Sequence, residues 1–329
     1  MEIINEERNI IEDNINGILW AYPQLKQVVG TFGLYDANFC DDQIPLISGG
    51  GSGHDPADWG YVGKGMLTAA VMGKIFIPPT KEEIVKVTKK VTKQKKAFYI
   101  VKNFMADVHS FDGAKKELEN AGWQIGMCIV ADDISVESLS LKKRKRGVAG
   151  TILVQKILGV AAEHGANIEE LNVIANQLRN CVKTIGVAFG GSKLPGREQD
   201  DFTLASNEIY YGIGIHGEPG YCKEIFKSSE LLAHELISKL KLSFHWKSGD
   251  KYALLINSLG GTTVMESMIF NNDVRELLSI EGLNVSYSKV GRLLTSNGMH
   301  GISLTLLHLE KPSWVQALKF SVDTPNWLA

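Results

Sequence analysis

Short runs of β-branched and aliphatic residues recur between longer amphipathic stretches, and no other feature of this sequence narrows its fold as much. Runs of four to eight such residues bury as strands, and intervening segments with apolar positions three and four apart close the crossovers as helices. The expected class is α/β. Strands are expected near IPLIS, AFYIV, QIGMCIV, TIGVAF, YYGIGI, YALLIN, NVSYSKV and ISLTLLHL. Ahead of AFYIV, the spacing of Ile84, Val87 and Val91 predicts a helix with one buried stripe and lysines outside. A long helical pattern from Gly147 to Cys181 ends at CVKTIGV, where a fresh series of strands begins. Two domains are therefore expected, 1–183 and 184–329.

Composition excludes several function classes. A hydrophobic share of 44% and a charged share of 22% over 329 residues describe an ordered globular chain with a sizeable core. The formal net charge of -2 lacks the strongly basic imprint of a chain whose main partner is nucleic acid or a membrane surface. In that setting the basic run LKKRKRG reads as a solvated connection or a contact with a protein partner. Cys40, Cys128, Cys181 and Cys222 form no CxxC pair, so neither a zinc site nor a disulfide framework is expected, and a reducing cytoplasm fits. The start MEIINEERNIIEDNINGILW carries acids among its apolar residues, unlike a secretory signal. The longest apolar passage, GVAGTILVQKILGVAAEHG, is broken by Gln155 and Lys156, short of the roughly 20 residues that span a bilayer. FGGSKLPGREQDDF reads as a polar surface loop.

Three stretches can carry chemistry. In LISGGGSGHDPADWG a strand runs into four glycines and a serine before His54. Glycines let backbone N–H groups converge on an oxygen-rich ligand, although a tight strand-to-helix turn would use some of them too. The spacing is neither a Walker loop nor a dinucleotide fingerprint, and it misses the hydrolase nucleophile elbow. In VKNFMADVHSFD, a strand end offers Lys102, Asp107, His109 and Asp112. Asp107 fits an acceptor or proton carrier, or a helix cap, and with HDPAD the segment could instead supply metal ligands. In GIGIHGEPG, His216 follows a strand-like run and precedes a turn at Pro219 and Gly220, so it is expected at a strand tip. A histidine there can be structural, a metal ligand, a general base or a nucleophile.

With these stretches in place, the chain resembles the substrate-binding K subunit of the bacterial phosphotransferase-dependent dihydroxyacetone kinase along nearly its full length. The resemblance rests on ISGGGSGHDPADWGYVGKGML, VKNF with the aspartate after it, GVAGTILVQKILGVAAEHG, LASNEIYYGIGIHGEPG, NSLGGTT and GISLTLL, in that order. It implies the K-subunit (DhaK-like) fold, two α/β domains with mixed sheets flanked by helices, the first carrying the Gly-rich ligand loop and the second the reactive histidine. It implies that His216 adds to the ketone of dihydroxyacetone and holds it as a covalent hemiaminal, with small neighbours leaving room for the adduct. Glycerol, which has no ketone, is thereby rejected. Gly50 and Gly51 resemble backbone contacts to substrate hydroxyls, His54 and Asp107 an acid/base pair, and Lys102 a further donor. No metal and no cofactor is implied, since nucleotide belongs to a separate L subunit.

The departures lie around these residues. The family's GHEP reads GHDP, with Asp55; FTSPT reads FIPPT, with Pro78; KNYTGD reads KNFMAD, with Phe104, Met105 and Ala106; TSxDMAG reads TSNGMHG, with Gly298 and His300. A surface kept for phosphoryl transfer ought to hold its rim. The family also contains paralogues that bind the triose and act as transcription co-activators, and with its altered rim this chain resembles them. The expected partners are thus dihydroxyacetone, a second copy in a homodimer, and a DNA-binding regulator of DhaS-like, TetR type, with the L subunit as the alternative.

Overall fold

In the computed structural model, residues 3–135, 145–195 and 200–327 are described. They form helices α1 (Ile10–Ala21), α2 (Lys81–Val91), α3 (Met105–Asn120), α4 (Gly150–Glu163), α5 (Ile168–Cys181), α6 (Ser229–Phe244), α7 (Val264–Ile280) and α8 (Pro312–Lys319). The strands are β1 (Leu25–Gln27), β2 (Gly33–Asp36), β3 (Leu46–Ser52), β4 (Ala69–Ile75), β5 (Lys96–Lys102), β6 (Gln124–Val130), β7 (Val182–Ala188), β8 (Glu208–Tyr211), β9 (Cys222–Ile225), β10 (Lys251–Ser258), β11 (Asn284–Gly291) and β12 (Gly301–His308). The chain is α/β, as expected, with two compact units: Met1–Val130 with Val154–Gln177 and Phe320–Ala329, and Ala131–Leu153 with Leu178–Lys319.

Each unit carries one mixed sheet. The first has the order β1-β2-β4-β3-β5-β6, parallel through β4-β3-β5-β6 and antiparallel at β1-β2-β4. Helices α2 and α3 cover it: Ile84, Val87 and Val91 pack with Val71, Tyr99 and Phe111, while Lys86, Lys89 and Lys90 stay exposed. A capping box between Thr80 and Glu83 starts α2. The second sheet has the order β11-β10-β12-β7-β8-β9, with only β10 and β11 parallel. Its core joins Ile185, Leu254, Ile256 and Leu304 to Leu236 of α6 and Phe270 of α7.

Among the described residues each of the eight expected strands has a counterpart, YYGIGI only in its Tyr210 and Tyr211, and four others were not foreseen. β1, β2 and β9 have three or four residues, too few for a period to register, and β4 is built largely from small residues (AAVMGKI). The helical pattern from Gly147 to Cys181 is two helices, divided at His164 to Asn167, where Gly165 adopts φ +85°. α4 is buried on all sides, Gln155 and Lys156 included. Lys156 reconciles charge with burial by donating to the Phe320 carbonyl at 2.7 Å, its Nζ 5.5 Å above the ring. No described helix is long and apolar enough to cross a membrane.

Candidate functional site

In the first unit the glycines are not a loop after the strand, as the sequence suggested. β3 runs through them to Ser52. The reason is the closeness of the neighbouring chain: a Cβ on Gly49 would stand 2.2 Å from the Val71 carbonyl, and one on Gly51 would stand 2.7 Å from the Phe76 and Ile77 backbone. Gly50 differs, because a Cβ there would meet the side chains of Asp107 and Lys102, at 3.0 and 3.2 Å. Bare backbone at Gly50 thus lies against two of the polar residues singled out in the sequence.

Lys102 ends β5, and Asp107 stands in the first turn of α3, so one strand-to-helix connection places both. Lys102 is buried and donates to Gly49 O at 2.9 Å and to the buried Asp58 carboxylate at 2.5 Å. Asp58 also accepts from Gln155 Nε2 at 2.8 Å, and the same nitrogen reaches Ser48 Oγ at 3.1 Å. The Lys102 charge is therefore balanced below the glycine strand. His54 is buried and stacks on Phe76, ring centroids 4.9 Å apart. Asp55 accepts from Trp59 Nε1 at 2.6 Å. His109 is exposed on α3, and Asp112 pairs with Lys116. Among the described residues no three His, Cys, Asp or Glu side chains are grouped to hold a metal ion.

In the second unit, His216 is not at a strand tip. β8 ends at Tyr211 because Gly212 turns the chain at φ +73°, and His216 lies five residues on, in the connection to β9. The glycines around it do not leave open space either. A Cβ on Gly214 would fall 1.8 Å from Glu218 Oε2 and 2.5 Å from an Arg146 terminal nitrogen, so its place is occupied by a carboxylate and a guanidinium.

Glu218 is the residue that sequence reasoning passed over. Its Oε1 is 2.9 Å from His216 Nδ1, and its Oε2 accepts the His216 backbone N–H at 3.1 Å. Burial alone would raise its pKa, but the bonds from the His216 ring and backbone and the charges of His216 and Arg146 outweigh burial and hold it at about 2. An ionised carboxylate only accepts, so Nδ1 carries the proton and a neutral ring has its lone pair on Nε2. The signal was the spacing H-x-E on a glycine-framed loop. It does not stand out, because the sequence cannot show that the chain folds back between the two residues.

Arg146 braces this loop. It pairs with the buried Asp133 at 2.6 Å and donates to Ser135 Oγ at 2.8 Å, Gly212 O at 2.7 Å and Glu218 O at 3.5 Å. This corrects the reading of LKKRKRG: Lys145 is exposed but Arg146 is buried, and residues 141–144 lie outside the described residues. Next to Asp133, Asp132 accepts from the Val148 and Gly150 N–H groups and from Thr184, while burial pushes its pKa up to about 6. From the far side, Ser296 donates to the Ile215 carbonyl.

Each candidate residue is thus placed within its own unit. Gly50, Gly51, His54, Lys102 and Asp107 belong to the first, and His216 with Glu218 and Arg146 to the second.

Comparison with known proteins gives a consistent picture. The Dak1 domain matches residues 16–326. The chain is 45% identical over 329 residues to the DhaKLM operon coactivator DhaQ of Lactococcus lactis subsp. lactis (strain IL1403), covering 99% of this chain and 100% of that protein. It is 40% identical over 327 residues to the PTS-dependent dihydroxyacetone kinase, dihydroxyacetone-binding subunit DhaK of the same organism, covering 99% and 98%. A solved structure of a dihydroxyacetone kinase operon co-activator, Dha-DhaQ, superposes with a TM-score of 0.93 at 45% identity, covering 96% of this chain and 98% of that one.

Proposed function

The chain belongs to the Dak1-domain family, and from that premise we propose that it captures dihydroxyacetone on His216 and reports it, as a co-activator, to a DNA-binding transcription regulator. The observation that carries the capture is the His216–Glu218 pair. With the proton held on Nδ1, Nε2 adds its lone pair to the ketone carbon and the carbonyl oxygen takes up a proton from solvent. The ring, now bonded through Nε2, bears a positive charge beside an ionised carboxylate that costs no reorganisation to supply. The remaining assignments follow the resemblance: Gly50 and Gly51 for the ligand hydroxyls, Lys102 as donor, His54 and Asp107 as the acid/base pair, and a homodimer as the assembly. The preference for regulation is supported by the higher identity to the co-activator, 45% against 40% for the kinase subunit.

Dihydroxyacetone labelled with carbon-13 at the ketone tests the chemistry. The wild-type chain is expected to move the label from the carbonyl to the tetrahedral region of the spectrum, and His216→Ala to leave it unmoved. An adduct that survives His216→Ala overturns the assignment. The second reading, a working kinase subunit, is favoured by the retained His54 and Asp107. Sustained triose phosphate formation with an added nucleotide-carrying subunit and phosphoryl donor would establish it against regulation.

A further inference from the structure

In the first unit, the lysine run that follows Glu83 has no task in the reading above. From Ile84 to Ala106 the chain has no Asp or Glu, and Lys86, Lys89, Lys90, Lys93, Lys95 and Lys96 are all exposed. The first three stand at i, i+3 and i+4 on the outer face of α2, and the others follow in the connection to β5. All six therefore lie along no more than about 25 Å of chain. Among the described residues none of the six is in an ion pair, whereas Lys81 at the start of the same helix is held by Glu82 and Glu117. Asp41 meets this segment, but it accepts from the Thr92 hydroxyl at 2.5 Å and the Lys93 backbone N–H at 2.9 Å.

Helix polarity accounts for two of these charges. Lys89 and Lys90 lie in the last turn of α2, where cations offset the carbonyl end. It does not account for Lys86 a turn earlier, nor for the three lysines beyond the helix. Charge is also unevenly shared over the molecule. The chain carries a formal net charge of -2, and without these six lysines it would carry -8. A compact positive patch thus sits on an otherwise acidic molecule, and an anionic surface is steered to that side.

We propose that this lysine face rests on the phosphate backbone of duplex DNA while the chain is held by its DNA-bound regulator, an inference that rests on the co-activator reading. The spread of the six charges suits a polyanion with one negative charge per roughly 1.7 Å of duplex better than a single small anion. Lysine meets phosphates as a point charge and reads no bases, so sequence choice stays with the regulator. A lipid surface fits less well: Ile84, Val85, Val87 and Val91 are buried against the sheet, and α2 has no apolar face left to insert. The net negative charge of the chain makes any contact with DNA weak on its own. Tethering changes that, because a regulator that holds both brings the phosphates to an effective concentration of about 1 mM. A contact with a Kd of about 100 μM then strengthens the assembled complex about tenfold.

Fluorescence anisotropy of a labelled duplex of about 30 base pairs, titrated with the full chain at about 50 mM salt, tests the contact with neither regulator nor triose present. The wild type is expected to bind with a Kd of about 10–100 μM, and its log affinity to fall with log salt at a slope of about -4 to -5, near 0.9 per phosphate met. The combined variant Lys86→Gln, Lys89→Gln, Lys90→Gln and Lys93→Gln is expected to bind at least about tenfold more weakly, with the slope reduced to about -1. As a control of equal charge, Lys227→Gln, Lys247→Gln, Lys251→Gln and Lys319→Gln, all at exposed positions, should weaken binding less than about threefold. Equal losses in the two variants overturn the location, and a wild type that leaves the duplex unbound at about 0.5 mM overturns the contact itself. Vesicles containing phosphatidylserine that bind as tightly as the duplex overturn DNA as the occupant. Acetylation footprinting of the unmodified chain checks the same surface without substitution: the duplex should shield Lys86, Lys89, Lys90 and Lys93, and uniform labelling counts against the proposal. Ketone labelling and triose phosphate formation are read in separate assays, so failure of the capture or co-activator reading and failure of the DNA contact are told apart.

Discussion

The glycine strand of the first unit and the histidine loop of the second each rest on a buried ion pair, Lys102 with Asp58 and Arg146 with Asp133, and the two pairs are built differently. Beneath β3 the backbone is already held by its neighbours in the sheet, and a lysine suffices: one compact charge bonded to Gly49 O and one carboxylate. Beneath His216 the chain has left its strand, and the cation must also supply the hydrogen bonds that a sheet would have given. Arginine does this with a planar fork that reaches Asp133, Ser135, Gly212 and Glu218 together. The lesson is that regular structure asks its buried cation for charge, and an irregular loop asks it for geometry.

If that distinction holds, Lys102→Met should act on stability first. Removing the cation strands a buried aspartate, and a loss of about 3–5 kcal/mol is expected in urea unfolding. A loss under 1 kcal/mol would mean that Gln155 alone satisfies Asp58. Glu218→Gln should act on chemistry instead. Losing the carboxylate that fixes the ring is expected to weaken the adduct roughly 10–100-fold, as removal of a histidine's orienting partner does elsewhere. The same variant changes the acid limb of stability. The Glu218 pKa falls from 4.5 to about 2 on folding, so its stabilisation is present above pH 4.5 and is lost as pH falls toward 2. Acid unfolding of Glu218→Gln should lack that component. Arg146→Lys should show the smallest effect: the charge beside Asp133 survives, the loop bonds do not, and about 1 kcal/mol of stability is expected to go, together with a measurable fall in adduct. An Arg146→Lys chain that captures ketone as the wild type does would erase the contrast between the two regions.

Much of the fold was legible because burial has a period. The stripe of Ile84, Val87 and Val91 and the strands from AFYIV to ISLTLLHL carry it openly. β1, β2 and β9 do not, since three or four residues cannot display a period, and their pairing is set by partners far along the chain. At the candidate site, the sequence drew attention to GGGSGH and GIGIHGEPG, but the reasons for their glycines were not readable. They come from Val71 across the sheet, from Phe76 after β4, and from the side chains of Glu218 and Arg146. Glu218 and Arg146 escaped notice for a related cause. One looked like part of a turn and the other like one cation in a solvated run, and only the folded loop reveals their bonds.

The pairing of His216 with a residue two positions further on has a consequence for motion. Donor and acceptor ride on the same short piece of backbone, so a displacement of that piece carries both atoms along and leaves their separation unchanged. The tautomer of the imidazole is thus insulated from breathing of the surrounding protein, and the lone pair stays on the same ring nitrogen throughout.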